Sequence, residues 1–228
     1  MATISDNLQV VRERIARAAR TAGRDPVSVT LLAVSKSQPV ARIEEARAAG
    51  HKAFGENYVQ EALEKMDALP GLEWHLIGPL QSNKTRLAAE HFAWVHTLER
   101  EKIARRLSEQ RPAGLPPLNV LIQVNVSGEA TKSGVAVEAI AALARAIAPL
   151  PRLRLRGLMA VPEPTLDVAL QRKRFRTVKA AFENLKDEFG LDTLSMGMSD
   201  DLEAAIAEGA TQVRVGRAIF GERPSKPD

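Results

Sequence analysis

Asn119-Val-Leu-Ile-Gln-Val-Asn125 is apolar almost throughout, with β-branched residues at Val120, Ile122 and Val124, the pattern of a parallel strand covered on both faces. A parallel strand needs partners reached by long crossovers, so the chain around it should alternate between strand and helix. It does. Seven further short apolar segments, at 29–35, 53–55, 73–77, 94–97, 153–158, 193–195 and 212–215, carry strand patterns. Between them, at about 39–49, 58–68, 83–91, 99–110, 136–148, 167–189 and 200–208, apolar residues recur at helical spacing, and a helix at about 5–22 precedes the first strand. Glycine follows two of these helices, at Ala49-Gly50 and Glu208-Gly209, where a left-handed residue ends a helix. Eight strands alternating with helices predict an α/β fold, a single (β/α)8 TIM barrel with an extra N-terminal helix, occupying 1–228 as one domain. An open doubly wound sheet is the alternative. No Gly-x-Gly-x-x-Gly follows the first strand, which speaks against its dinucleotide-binding form.

Composition narrows the function classes. A hydrophobic content of 45% suffices for a sizeable core, and the breaks at 110–117 and 223–228 read as surface connections. With no cysteine, the chain has neither a disulfide framework nor a thiolate metal site. The first residues lack a basic region followed by an apolar core, and no apolar stretch suits a bilayer span, so a cytoplasmic protein without membrane association is expected. The formal charge of +4 is small. Its two basic runs, Arg12, Arg14, Arg17, Arg20 and Arg24, then Arg172-Lys-Arg-Phe-Arg176 with Lys179, fall on helical patterns and read as solvated helix faces. Aromatics make up only 4% of the chain, so nucleic acid is not expected as a partner. A monomer is expected.

In a barrel, every strand's C-terminal end opens onto one mouth, where such folds place their chemistry. Lys36 ends the apolar run Thr30-Leu-Leu-Ala-Val-Ser35 there. A lysine against low-dielectric walls loses ammonium solvation, which favours the free amine and lets it attack a carbonyl. The same position also suits an ordinary solvated lysine. Glu56 and Asn57 follow the second strand, Gly78 to Lys84 the third, and Asn125, Ser127, Glu129, Thr131, Lys132 and Ser133 the fifth. Past the seventh and eighth strands come Met196, Gly197, Met198 and Ser199, then Gly216 and Arg217, with Arg214 inside the last strand. Barrels commonly bind phosphate on that side. Gly197, Gly216 and Gly221 let the backbone approach an anion, Ser199 offers a hydroxyl and an N-cap for the next helix, and Arg214 adds a permanent cation. A reactive lysine facing a phosphate cradle suits pyridoxal 5′-phosphate, whose aldehyde needs the amine.

Six segments carry a family resemblance: Ala33-Val-Ser-Lys36, Phe54-Gly-Glu-Asn-Tyr-Val-Gln-Glu61, Trp74-His-Leu-Ile-Gly-Pro-Leu-Gln-Ser-Asn-Lys84, Gln123-Val-Asn-Val-Ser-Gly-Glu-Ala-Thr-Lys-Ser-Gly134, Leu194-Ser-Met-Gly-Met-Ser-Asp200 and Val213-Arg-Val-Gly-Arg-Ala-Ile-Phe-Gly221. In that order, from about Leu31 to Gly221, the chain resembles the pyridoxal phosphate homeostasis protein family, whose fold is similar to the barrel of alanine racemase, PLP fold-type III. The resemblance implies a Schiff base of the cofactor on Lys36, Asn57 near its 3-oxygen and Arg214 facing its pyridine nitrogen. It implies that Ser199, Gly216 and Arg217 hold the phosphate largely through backbone donors, with Met198 among the cofactor-binding residues. Family members often carry threonine where this chain has Arg217, so a hydroxyl contact would be lost while backbone contact survives.

The implied role is supply and homeostasis of the cofactor without robust turnover, with apo PLP-dependent enzymes as partners and with no catalytic or metal residues. An arginine against the pyridine nitrogen disfavours its protonation and weakens the ring as an electron sink. The racemase resembled here also needs a tyrosine as second acid–base group, and the one tyrosine of this chain, Tyr58, reads as a partly buried packing residue. A fold-type III amino-acid racemase is the alternative, and an interaction scaffold docking through the basic helices is another. His75 reads as a hydrogen-bonded core residue, and His51, His91 and His96 show no metal-ligand spacing. Lys65, Lys84 and Lys132 are candidates for a second vitamer contact, with a solvated surface position as the other reading.

Overall fold

The computed structural model describes residues 2–127 and 133–222. Glu129, Thr131 and Lys132, read above as part of the mouth, and the tail at 223–228 lie outside the described residues. Eight parallel strands, β1 (Thr30–Val34), β2 (Ala53–Glu56), β3 (Glu73–Leu76), β4 (Trp94–Leu98), β5 (Leu118–Val124), β6 (Leu153–Ala160), β7 (Thr193–Ser195) and β8 (Gln212–Val215), close into a barrel in sequence order. Pairing of Thr30 with Gln212 through Ala33 with Val215 joins first strand to last. The open sheet is thereby excluded, and the chain is a (β/α)8 TIM barrel.

Helices α1 (Ile4–Thr21), α2 (Val40–Ala48), α3 (Val59–Ala68), α4 (Thr85–His91), α5 (Glu101–Gln110), α6 (Ile140–Ile147), α7 (Val168–Phe189), α8 (Leu202–Ala207) and α9 (Arg217–Phe220) accompany the strands. The extra helix α1 starts at a capping box, in which Asp6 N–H donates to Thr3 Oγ1 and Thr3 N–H to Asp6 Oδ2. Its buried stripe, Ile4, Leu8, Val11, Ile15, Ala18 and Ala19, recurs at three- and four-residue spacing and packs toward α8 and α9. Burying each large aliphatic side chain there stabilises by about 2 kcal/mol. Gly50 and Gly209 adopt φ +80° and +98° past α2 and α8, as their positions predict.

Two departures bear on the mouth. Helix α8 begins at Leu202 with Asp201 as its N-cap residue, not at 200 with Ser199 as cap. The reason is local: Gly197 sits at φ +96°, and Asp201 Oδ1 accepts from Met198 N–H at 2.6 Å, folding 197–201 into a tight turn ahead of the helix. The short helix α9, unseen in the periodicity, begins directly after Gly216. On the opposite face, the 110–117 connection is anchored and not merely superficial, because Arg111 is buried and donates to the carbonyls of Pro116, Ala89 and Phe92.

Candidate functional site

Lys36 lies two residues past Val34, the last residue of β1, in a turn closed by Gln38 N–H donating to the Ser35 carbonyl. Both flanking serines are held from behind. Ser35 Oγ donates to Glu56 Oε1 at 2.5 Å, and Ser37, in the left-handed region at φ +60°, donates its N–H to Glu61 Oε1 at 2.5 Å. Lys65 of α3 ties the two halves together: its Nζ donates to the Ser35 carbonyl at 2.8 Å, to Glu56 at 2.8 Å and to Glu61 at 2.7 Å. Lys65 is 4% exposed, so it is neither a solvated surface lysine nor open to a second vitamer, as its sequence position had allowed. Burial pushes the Glu56 carboxyl up, against the pull of Lys65.

Asn57 leaves β2 beside Lys36, two residues beyond the Val34–Gly55 pair. The loop after β3 crosses it so closely that a Cβ on Gly78 would lie 2.2 Å from the Asn57 carbonyl oxygen. Tyr58 follows on the rim, 61% exposed and with no side-chain role at the start of α3, so it is not the packing residue its sequence position suggested. It turns outward where the helix begins.

Beside Lys36, past the ends of β7 and β8, lie Met198, Ser199, Gly216 and Arg217, and the five line one cavity of about 720 Å³ with Gln38, Pro164 and Asp200. Displaced from the N-cap, Ser199 is part of that wall. A Cβ on Gly216 would lie 3.0 Å from the Val34 carbonyl oxygen, so glycine lets the end of β8 lie against that of β1. Helix α9 starts there, with Gly216 as its N-cap and its first N–H groups toward its N-terminal end, an arrangement suited to an anion. The Met198 N–H is already taken by Asp201, which leaves that residue as wall and not as donor.

Arg214 is buried inside the barrel. Nη1 donates to the Ser195 carbonyl and Oγ at 2.7 and 2.8 Å, and Nη2 to the Ala160 carbonyl at 2.8 Å. Burial lowers its pKa to about 10, offset in part by Asp201, so it stays charged at neutral pH. Of the five N–H hydrogens of a guanidinium, three are spent on the described residues and two remain. An amine and an anion seat thus line one cavity, which fits an aldehyde-bearing, phosphorylated heteroaromatic ring, whereas Asn57 and Arg214 do not line it.

Sequence reasoning missed Glu61 and Ser195 and gave Lys65 a different role, because nothing in the pattern says which helix residue lies over which strand. His75 is the hydrogen-bonded core residue expected, joined to His96 and Glu73. Among the described residues, no group of three or more His, Cys, Asp or Glu could hold a metal ion, and no helix is long and apolar enough to cross a membrane.

The family described as alanine racemase, N-terminal domain, matches residues 6–224. The pyridoxal phosphate homeostasis protein of Pseudomonas aeruginosa is 62% identical over 225 residues, 98% of this chain and 97% of that one. Its namesake in Escherichia coli is 56% identical over 229 residues, 98% of each. PipY, a COG0325 family member of Synechococcus elongatus solved with PLP bound, superposes with a TM-score of 0.84 at 36% identity, covering 96% of this chain and all of that one. Alanine racemase of Corynebacterium glutamicum, at 17% identity and a TM-score of 0.72 over 97% of this chain and 64% of that one, shares the fold.

Proposed function

The chain belongs to the pyridoxal phosphate homeostasis proteins, within the alanine racemase N-terminal domain family, and from that premise we propose how its residues hold pyridoxal 5′-phosphate. The chain is a PLP-binding protein of cofactor homeostasis. The observation that carries the residue assignment is the cavity in which Lys36 faces Ser199, Gly216 and Arg217. When bound, the group brings an aldehyde, a phosphate and a basic ring nitrogen. Lys36 would hold the group at its aldehyde, for which its amine is the nucleophile. Ser199, Gly216 and Arg217 would hold its phosphate through backbone N–H groups and the Ser199 hydroxyl, with Met198 as wall. Asn57 would hold the group at its 3-oxygen and Arg214 at its ring nitrogen.

A charged guanidinium there opposes protonation of that nitrogen, which suits holding the cofactor better than carbanion chemistry. Tyr58 is exposed and does not line the cavity that Lys36 lines. The relatives are likewise named for homeostasis of the cofactor and not for a reaction. The role is therefore binding and supply, by 1–228 acting as one domain and as a monomer in the cytoplasm, to apo PLP-dependent enzymes.

The test is the absorbance spectrum of wild type and Lys36→Ala before and after borohydride reduction. A cofactor band that reduction fixes on the Lys36 peptide, and that the variant lacks, is expected, together with negligible racemisation of alanine. A wild type with no band after incubation with pyridoxal 5′-phosphate overturns the reading; sustained Lys36-dependent racemisation replaces it with an enzyme.

A further inference from the structure

The barrel interior is unusually polar for a packed core, whose layers are ordinarily filled by branched aliphatic side chains. From the base upward, Glu73 Oε1 lies 2.8 Å from His75 Nε2, and His75 Nδ1 lies 2.9 Å from His96 Nε2. His96 Nδ1 lies 3.2 Å from Ser195 Oγ, which accepts from Arg214 Nη1 at 2.8 Å. Trp94 stacks on His75 at 5.2 Å with an interplanar angle of 5°, and Arg156 lies over the Trp94 ring. The side chain of Glu73 is half-exposed at the strand's start, whereas His75, His96, Ser195 and Arg214 are buried.

With both rings neutral, the ends fix the direction of every bond between them. A carboxylate only accepts, so His75 carries its hydrogen on Nε2. Burial keeps both imidazoles below the ordinary histidine range, with His75 and Arg214 adding to the effect on His96, so each ring has one hydrogen. His75 Nδ1 must then accept from His96 Nε2, and His96 Nδ1 from the hydroxyl of Ser195. Ser195 has no second hydrogen, so it meets the guanidinium as an acceptor. Arg214 only donates and closes the sequence. Reversing any bond would leave two donors or two acceptors face to face.

We propose that Glu73, His75, His96 and Ser195 form one directional hydrogen-bond relay along the barrel axis that positions Arg214 from the face opposite the mouth. Its value for the cofactor rests on the function proposed above: the relay aims the two unspent guanidinium hydrogens, while Glu73 polarises the sequence toward the base. These are positioning residues, acting only through Arg214.

The test is nitrogen NMR of the imidazoles in the full-length labelled protein at pH 7, without added cofactor, for wild type, Glu73→Ala and Ser195→Ala. Both relay histidines are expected as neutral Nε2–H tautomers. Glu73→Ala, at a half-exposed site, is expected to shift the resonances of His96, which it does not touch, and Ser195→Ala those of His75. An Nδ1–H or charged ring in wild type, or shifts confined to the directly bonded neighbour, would overturn the relay. With pyridoxal 5′-phosphate, Ser195→Ala is expected to keep covalent attachment at Lys36 while binding about tenfold more weakly and with a displaced absorbance maximum. A relay intact in a protein that takes up no cofactor would sink the functional reading alone; unchanged affinity and spectrum in Ser195→Ala would sink the relay's role toward Arg214.

Discussion

Lys65 stands between two carboxylates, Glu56 and Glu61, and its removal would leave both facing one another behind Lys36. Breaking a buried ion pair from one side is costly because the remaining charge is stranded. Lys65→Met is therefore expected to lower the urea midpoint near pH 7 by the equivalent of about 3 kcal/mol. The loss should shrink toward pH 5, since burial already raises the Glu56 carboxyl and its protonation removes the stranded charge. Gly78 makes a steric case of the same kind: a methyl group there would meet the Asn57 carbonyl at 2.2 Å, so one backbone must move. Gly78→Ala should cost about 2 kcal/mol in chemical unfolding and weaken cofactor retention in dialysis by shifting Asn57.

Elements that merely connect also carry structure. The chain between α5 and β5 has the Pro and Gly content of a surface turn, yet Arg111 inside it closes the buried C-terminal end of α4 by donating to the carbonyls of Ala89 and Phe92. Arg111→Met would keep much of the apolar stem and strand three carbonyls, Pro116 among them. Such a change should cost about 3 kcal/mol and speed amide exchange at residues 88–93, while cofactor binding at the far mouth stays unchanged. At the mouth itself, the turn at 197–201 shows how one glycine and one aspartate override a cap pattern. Ser199-Asp-Asp-Leu-Glu reads as a helix start, but Asp201 spends its carboxylate on Met198 N–H, and the serine is left for the cavity.

At the scale of the molecule, buried histidines set the response to acid. Burial lowers His51 from 6.5 to about 4, and it lowers His75 and His96 as well. As pH falls through 6.5, the unfolded chain takes up protons that these folded sites refuse, so their contribution is complete above 6.5 and lost below it. For His51 the loss amounts to about 3 kcal/mol by pH 4. Thermal unfolding should accordingly fall in midpoint between pH 7 and 4. His51→Gln, which keeps a donor for the Ala53 carbonyl, should flatten that slope.

Periodicity located the eight strands and the end of each that carries chemistry, because the alternation of apolar runs and amphipathic helices is local, whereas closure into a barrel was decided by the pairing of β1 with β8. Lys36, Ser199, Gly216 and Arg217 were legible for the same reason, since a residue just past a barrel strand can only be at the mouth. What lies behind and beneath them was not. Lys65 reads as a surface cation on an amphipathic helix until α3 is laid over β1 and β2, and His75, His96, Ser195 and Arg214 belong to four strands up to 139 positions apart, counted from His75 to Arg214. Tertiary structure alone decided those contacts, because hydrogen bonding between side chains depends on register and strand order in three dimensions, and a one-dimensional hydrophobic pattern records only which face each residue turns inward.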